Sequence, residues 1–302
     1  MYLQSNAIEL STWKGYSTGA RDYIKFCLNH SLSLDPTPET LVHYVAYTSI
    51  YIASAPKYLT GARHFLRQLY PNFDANRAHP LVQATINGSR KVRADPILRK
   101  LPVRLAHLGS FHELALISGN YDDLLFVTIL SCCFYGCHRS GELILKNAKD
   151  EFDWRKIIKR GSLVFDSFRA SYRLPYHKTD RFYRGTDILF SVQQVADPVM
   201  LLKSYVTRRD KFHGARTALF IRNDGSFPNR NWFDQKFFTL LDRQFGGHSL
   251  RAGGATFYAG LGLSEDVIQA LGRWSSKAWK IYIRDNPTIR AELQLAYLRL
   301  RG

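Results

Sequence analysis

The sequence is poor in cysteine and has no long apolar run, and each absence excludes a class of protein. Four Cys occur in 302 residues. Three of them, Cys132, Cys133 and Cys137, lie in one apolar stretch, so we expect no disulfide framework. That stretch, residues 124–137, is shorter than the ~20 residues that span a bilayer. The N-terminus shows no secretory signal. We therefore expect an intracellular protein with reduced thiols and no membrane contact.

Motifs of several enzyme classes are missing as well. The sequence contains no Walker loop, no dinucleotide-binding glycine fingerprint, no H-E-x-x-H motif and no C-x-x-C pair for zinc. Its acidic residues do not cluster as a two-metal nuclease requires. The sequence therefore predicts chemistry without a metal, a nucleotide or another cofactor.

Negative charge is scarce relative to positive charge. Lys and Arg total 42 against 25 Asp and Glu, a formal net charge of +17. Hydrophobic residues make up 45% and charged residues 22% of the chain, so the charge belongs to a folded protein and not to a disordered basic tail. The expected partner is a polyanion, above all nucleic acid.

The first hundred residues have the patterns of a helical domain. Apolar spacing and turn residues predict helices over residues 11–29, 38–52, 55–70 and 81–92. Ser11 and Thr37 are the predicted N-caps, and Pro38 occupies a first helical position.

The third of these predicted helices has an apolar and a basic face. The residues expected in the core are Leu59, Ala62, Leu66 and Leu69. The opposite and flanking positions carry Lys57, Arg63, His64, Arg67 and Gln68. This second set is either a solvated face or a contact to phosphates.

A basic, proline-interrupted segment follows and predicts a linker. We assign residues 8–95 to a helical DNA-binding domain, 96–104 to a basic linker and 105–302 to a second domain. The linker either crosses a nucleic-acid backbone or is a plain exposed connection. The candidate DNA-binding residues of the whole region are Lys57, Arg63, Arg67, Arg90, Lys91, Arg93 and Lys100.

The second part of the chain changes character along its length. Helical patterns over residues 110–118 and 121–145 precede three strand-like segments, 160–165, 170–177 and 181–190, with a polar turn at Lys178. Helical pattern resumes at Asp197, with breaks at glycine-containing turns. The predicted fold class is mainly α with a small antiparallel β-sheet.

Two short patterns in this part suggest an anion site. His248 and Arg251 are three residues apart at an apparent helix start, and would project together where backbone N–H groups favour a phosphate oxygen. Arg139 and Glu142 share the same spacing and form either a structural salt bridge or part of a site. Neither pattern is specific by itself.

The order of the motifs carries more information than any one of them. Arg139 in R-x-x-E-L, a lysine in a hairpin turn, His248-x-x-Arg251, a Leu-Gly-Arg-Trp sequence ending at Trp274, and then Tyr282 together resemble the motif series of the tyrosine recombinases, the phage-integrase family. Residues 247–286 are similar to Cre recombinase, which also carries Trp where many members carry His. Residues 274–284 are most similar to the Crypton group of eukaryotic transposons.

Two departures from the family pattern stand out. The interval from Trp274 to Tyr282 is one residue shorter than usual, so the turn before Tyr282 must be built differently. Lys178 is assigned from its place in the predicted strand-to-strand turn and not from a motif.

The resemblance implies a mechanism. Tyr282 would attack a DNA phosphodiester and form a 3′-phosphotyrosyl link. Arg139, Arg251 and Trp274 would bind the phosphate, His248 would take the tyrosine proton, and Lys178 would protonate the leaving 5′ oxygen. Glu142 would orient its neighbours.

The resemblance also implies an assembly and two alternatives. The family acts as four protomers on two duplexes through a Holliday junction, while the free protein can be a monomer. The apolar C-terminal helix would dock on a neighbour or on its own core, and the Crypton likeness implies the nucleus. A type IB topoisomerase and a domesticated DNA-binding protein that no longer cleaves are the alternative functions.

Overall fold

The structure is a computed structural model that describes residues 7–94, 99–147, 152–178, 180, 182–276 and 279–281. The chain divides into two compact units, Met1–Leu98 and Arg99–Gly302. Each unit has a hydrophobic core of its own. Mainly helical structure with one three-stranded antiparallel sheet confirms the predicted fold class.

The first unit is helical throughout its described part. Its helices are α1 (Leu10–Asn29), α2 (Pro38–Tyr51), α3 (Ala55–Leu66), α4 (Phe73–Ala78) and α5 (Pro80–Arg93). Its core contains the fully buried residues Tyr23, Leu41, Tyr44, Leu59 and Phe73.

Two glycines allow α1 and α3 to cross closely. A Cβ on Gly19 would overlap the backbone of Tyr58, and a Cβ on Gly61 would come within 2.5 Å of the Tyr16 carbonyl oxygen. Only glycine permits such an approach, because any side chain would push the two helices apart.

Several predictions for this unit can be compared directly with the structure. Thr37 is confirmed as an N-cap, since its hydroxyl accepts from the Thr40 N–H at 3.2 Å. The cap predicted at Ser11 is wrong, because α1 already begins at Leu10 after Glu9. Leu69 is also not in the core. The third helix ends at Leu66, so the helical spacing does not continue, and Leu69 is 73% exposed.

The second unit surrounds one buried helix. Its helices are α6 (Leu105–Ser118), α7 (Tyr121–Tyr135), α8 (Ser140–Leu143), α9 (Pro198–His213), α10 (Arg230–Phe237), α11 (Ser249–Gly260) and α12 (Glu265–Leu271). Twelve residues of α7 are buried, which confirms that this apolar run forms a core helix.

All four cysteines of the chain are buried and carry free thiols. Within the described residues, none of the helices has the length and apolar character needed to cross a bilayer.

A small sheet lies beside these helices in the order β1 (Val164–Phe165), β2 (Arg169–Leu174) and β3 (Thr186–Ser191), with both pairs antiparallel. Ala170, Tyr172 and Leu174 alternate inward along β2, and Ile188 and Phe190 do so along β3. This period-2 pattern packs one face of the sheet on the core.

The structure changes three predicted boundaries in this unit. The helix predicted over 121–145 ends at Tyr135, because the chain turns at Gly136 and Cys137, whose φ is 46°. The first half of the strand predicted over 160–165 is a 3-10 turn, Arg160–Ser162. Part of the predicted linker packs into the core of the second unit without forming a helix or strand: the Val103 N–H donates to Ser249 O at 2.9 Å, and Val103 is 1% exposed.

Candidate functional site

Glu142 is the centre of a buried polar cluster in the second unit. Arg139 is the N-cap of α8, and its Nη1 donates to Glu142 Oε1 at 3.0 Å. The other carboxylate oxygen accepts from the ring of His138 at 3.0 Å and from Arg273 Nη2 at 3.1 Å. Glu142 is 6% exposed. One carboxylate therefore binds three side chains and fixes the position of Arg139.

The pKa of Glu142 lies below its ordinary value. Burial alone would raise this pKa, but the hydrogen bond from His138 and the positive charges of Arg273 and Arg251 lower it further than burial raises it. The carboxylate is therefore ionised at neutral pH and balances part of the positive charge around it.

His138 connects Glu142 to the sheet. Its Nε2 lies 2.8 Å from the hydroxyl of Tyr172 on β2. Because the carboxylate can only accept, Nδ1 carries the proton and Nε2 accepts from Tyr172. Burial, and then the charge of Arg273, lower the pKa of His138 to about 4. The ring is thus neutral and belongs to the support of the site.

Two buried arginines join the segment that carries Arg139 to the segment that carries Trp274. Arg251 Nη1 donates to Cys137 O at 2.6 Å, and its Nη2 donates to Gly272 O. Arg273 Nη1 donates to Gly136 O at 3.1 Å. These bonds hold both segments together, which explains how residues more than a hundred positions apart in sequence meet.

Arg251 and His248 differ in their exposure. His248 is the N-cap of α11 and is exposed, whereas Arg251 is 1% exposed. The two residues do lie together at the start of a helix, as expected. Their side chains, however, do not project in the same direction. Arg251 turns inward because the carbonyl groups of Cys137 and Gly272 accept from it. Its guanidinium carbon also lies 4.1 Å from the ring centre of Trp274.

Positive charges converge around His248. The neighbouring protein atoms shield the ring from part of its water and so lower its pKa, although the residue as a whole is exposed, and the charges of Arg139, Arg251, Arg230 and Lys178 lower the pKa further. A neutral imidazole at neutral pH can accept a proton. Lys178, which lies exposed in the turn after β2, is thus near enough for its charge to act on the His248 ring.

Sequence reasoning missed several residues of the cluster. Arg230, the first residue of α10, donates from Nη1 to the Ser140 hydroxyl at 3.1 Å. Arg273 belongs to the Leu-Gly-Arg-Trp sequence, but the sequence analysis assigned it no function. Arg230, His138 and Tyr172 carry no sequence signal, because only the tertiary fold brings them to the site. Tyr282 lies outside the described residues.

The basic candidates outside this cluster fall into two groups. Lys57, Arg67, Arg90 and Lys91 are exposed in the first unit. The others have partners within their own unit: Arg63 pairs with Asp74, Arg93 donates to the Ser49 carbonyl at 2.8 Å, and Lys100 donates to the Arg243 carbonyl. Those three therefore have a structural contact whether or not they also bind an anion.

Comparison with known proteins places this fold. No protein-family model matches the sequence, and no curated protein has a similar sequence. Among solved structures, the chain is similar to XerH site-specific recombinase bound to palindromic difH substrate in a post-cleavage complex. The TM-score is 0.54 at 16% identity, over 87% of this chain and 71% of that one.

A second similar structure is the Tn1549 transposon integrase in complex with a circular intermediate DNA. Its TM-score is 0.52 at 13% identity, over 86% of this chain and 85% of that one. The pre-cleavage complex of XerH with difH gives 0.52 at 15% identity, over 85% of this chain and 70% of that one. The chain therefore has the fold that these recombinase and integrase structures share.

Proposed function

We propose that the protein is a site-specific DNA recombinase or transposon integrase that cleaves and rejoins DNA through a 3′-phosphotyrosyl intermediate. The observation that carries the proposal is the convergence of Arg139, Glu142, His248 and Arg251 in one cluster. A recombinase site requires the residues of the motif series to meet in the folded protein. No other feature of the sequence predicts that they do. The shared fold and the net charge of +17 support it independently.

The cleavage step assigns each side chain one task. The Tyr282 oxygen attacks the phosphorus, the bond from phosphorus to the 5′ oxygen breaks, and the phenol proton passes to His248. Lys178 donates a proton to the leaving 5′ oxygen. Arg139 stabilises the charge on a non-bridging oxygen. A 5′ hydroxyl of another strand reverses the step, so resealing requires neither a metal nor a nucleotide.

Arg251 and Trp274 have a supporting part in this proposal. Arg251 donates one hydrogen bond from each Nη to a carbonyl group and stacks on the indole, so the remaining N–H groups of its guanidinium can donate to a phosphate oxygen. DNA binding would supply this acceptor, because a phosphodiester group carries a net negative charge and a carbonyl group does not. In the free protein, the two carbonyl groups and the indole therefore hold the guanidinium of Arg251 beside the proposed site.

The finer assignments rest on the sequence resemblance. They are a Crypton-type element, four protomers acting on two double-stranded DNA sites through a Holliday junction, and residence in the nucleus. The domain roles assigned to residues 8–95 and 105–302 have the same basis.

Covalent trapping tests the proposed chemistry. A binding site is first selected from randomised duplex DNA with the Tyr282→Phe protein, which cannot cleave. In a nicked version of this site, cleavage releases a short fragment that carries the free 5′ hydroxyl, and resealing is prevented because this fragment diffuses away. We expect the wild-type protein to form a covalent protein–DNA adduct and the Tyr282→Phe protein to bind the same DNA without forming one.

Two controls define the outcome. Arg139→Ala should reduce adduct formation by about 100-fold, since removal of one donor to a developing charge has this effect. Digestion of the adduct to a phosphotyrosyl peptide that contains Tyr282 identifies the nucleophile. Binding without any adduct would overturn the enzyme proposal and favour a DNA-binding protein that no longer cleaves.

A further inference from the structure

Arg230 lies in the polar cluster although the proposed chemistry gives it no task. It is the first residue of α10 and follows the N-cap Asn229. Its side chain reaches the start of α8, where Nη1 contacts the Ser140 hydroxyl. Ser140 directly follows Arg139 in the chain. The guanidinium of Arg230 is thus placed beside the residue that we assign to the phosphate.

Two contacts fix the orientation of this guanidinium. Nε donates to Asp234 Oδ2 at 2.8 Å, one turn further along α10, and Nη1 donates to Ser140 Oγ at 3.1 Å. Among the residues that the structure describes, none accepts a hydrogen bond from Nη2. The side chain is 37% exposed. Nε and Nη1 are therefore held by the protein, while Nη2, which lies 3.3 Å from where a Cβ on Gly247 would stand, keeps its N–H groups for another acceptor.

Gly247 provides the room that this placement needs. A Cβ at Gly247 would come within 2.6 Å of Arg230 Nη1 and within 3.0 Å of Ser140 Oγ. The backbone just before His248 therefore passes directly along the guanidinium. Any larger residue at position 247 would displace Arg230, so the glycine has a role at the site beyond the turn itself.

Charge balance at this place favours an anionic ligand. The charges of Arg230, Arg139 and Lys178 all act on the ring of His248. Glu142 neutralises Arg139 in part, and Asp234 neutralises Arg230 in part. A net positive charge remains on partly exposed side chains, and a phosphate of a nucleic-acid strand complements it in charge and in hydrogen-bond geometry.

We propose that Arg230 binds a DNA phosphate through Nη2, on the strand whose scissile phosphate Arg139 contacts. The proposal deepens the recombinase function and rests on it. Asp234 and Ser140 are positioning residues in this arrangement, because they hold the planar fork so that its free edge faces the strand. Gly247 allows the fork to approach the backbone that carries His248.

Phosphate neutralisation tests this contact directly. Duplexes that carry the selected binding site are made with one methylphosphonate at a time, which removes the charge of that phosphate. Affinities are measured in the Tyr282→Phe protein with and without Arg230→Gln, a change that keeps an amide for Ser140 or Asp234 and removes the charge. We expect Arg230→Gln to weaken binding to unmodified DNA by about tenfold and to cause no further loss when its own phosphate is neutral.

Salt dependence and a matched control complete the experiment. Loss of one phosphate contact should lower the slope of log affinity against log salt by about 0.9. Arg208→Gln is the control, since Arg208 is also half-buried with one backbone contact, to Gly119 at 3.0 Å, but near the opposite end of α7. We expect this variant to keep the wild-type slope. Thermal unfolding establishes that both variants are folded.

The outcomes distinguish this proposal from the one on which it rests. If the wild-type protein forms the covalent adduct and Arg230→Gln weakens binding equally at every methylphosphonate position, Arg230 has no phosphate of its own and the inference is wrong. If the wild-type protein forms no adduct, the recombinase proposal is wrong whatever Arg230 binds. A single position at which the loss disappears supports the contact.

Discussion

At the scale of single residues, a buried carboxylate organises a site that is otherwise positive. Glu142 accepts hydrogen bonds from Arg139, His138 and Arg273. Without it, Arg273, which is 6% exposed, would be a buried charge with no anionic partner, and a single unpaired buried charge costs ~3 kcal/mol or more. The carboxylate therefore stabilises the fold and orients the arginine that we assign to the phosphate.

The neutral state of His138 predicts a pH dependence of stability. Its folded pKa is lowered to about 4, while an unfolded histidine titrates near pH ~6.5. Below pH ~6.5 the unfolded state binds a proton that the folded state refuses, so stability falls as the pH drops from about 6.5 towards 4. We expect a loss of about 2 kcal/mol from this residue between pH 7.5 and pH 5.

Urea unfolding at a series of pH values measures this effect. Tryptophan fluorescence reports mainly on the second unit, because Trp154, Trp232, Trp274 and Trp279 lie there and only Trp13 lies in the first unit. His138→Asn should be less stable at every pH, since Tyr172 loses its acceptor, but its stability should depend less on pH. Equal pH dependence in both proteins would contradict the assignment of a neutral ring.

At the scale of secondary structure elements, α11 depends on two consecutive glycines. A Cβ on Gly253 would overlap the Val103 carbonyl, and a Cβ on Gly254 would overlap the carbonyl of Phe134 on α7. The helix that begins at His248 therefore packs directly on the backbone of the buried helix. This close packing positions His248 and Arg251 relative to Arg139, which follows α7.

Substitution of Gly254 should separate these helices. We expect Gly254→Ala to lower the free energy of unfolding by about 1–3 kcal/mol and to reduce covalent trapping, because His248 and Arg251 move with α11. Gly260→Ala is the matched control at the end of the same helix, where an added Cβ meets nothing within 4 Å. It should leave trapping unchanged and stability equal or higher by up to about 1 kcal/mol. Equal effects of both substitutions would contradict close packing as the cause.

The elements also show what local sequence patterns can predict. The apolar run of α7 and the Thr37 cap were predicted because periodicity and capping act over a few residues. The short helix α4 (Phe73–Ala78) and the early end of α3 were missed, since tertiary contacts determine such boundaries. Within the site, Arg139 with Glu142 and His248 with Arg251 were visible as i, i+3 pairs. Arg230 was not, because it meets Ser140 only after folding.

At the scale of the whole molecule, charge and separate cores fit a protein that acts on DNA. A net charge of +17 predicts binding that weakens steeply with salt, because each neutralised phosphate releases counterions. The two units have cores of their own, as the proposed division into two DNA-binding domains requires. A type IB topoisomerase would share these features, so they do not separate strand joining from relaxation.

Reaction order separates these two activities. A relaxing enzyme cleaves and reseals one duplex, so a single copy suffices and the rate is proportional to protein concentration. A recombinase passes the cleaved strand to a second duplex and requires several protein copies at once. Its rate therefore rises more steeply than in direct proportion to protein concentration. We expect labelled duplexes with the selected site to be joined to a plasmid that carries the same site, with this steeper dependence, and Tyr282→Phe to be inactive. First-order relaxation of the plasmid without any joined product would instead assign the protein to the topoisomerase activity.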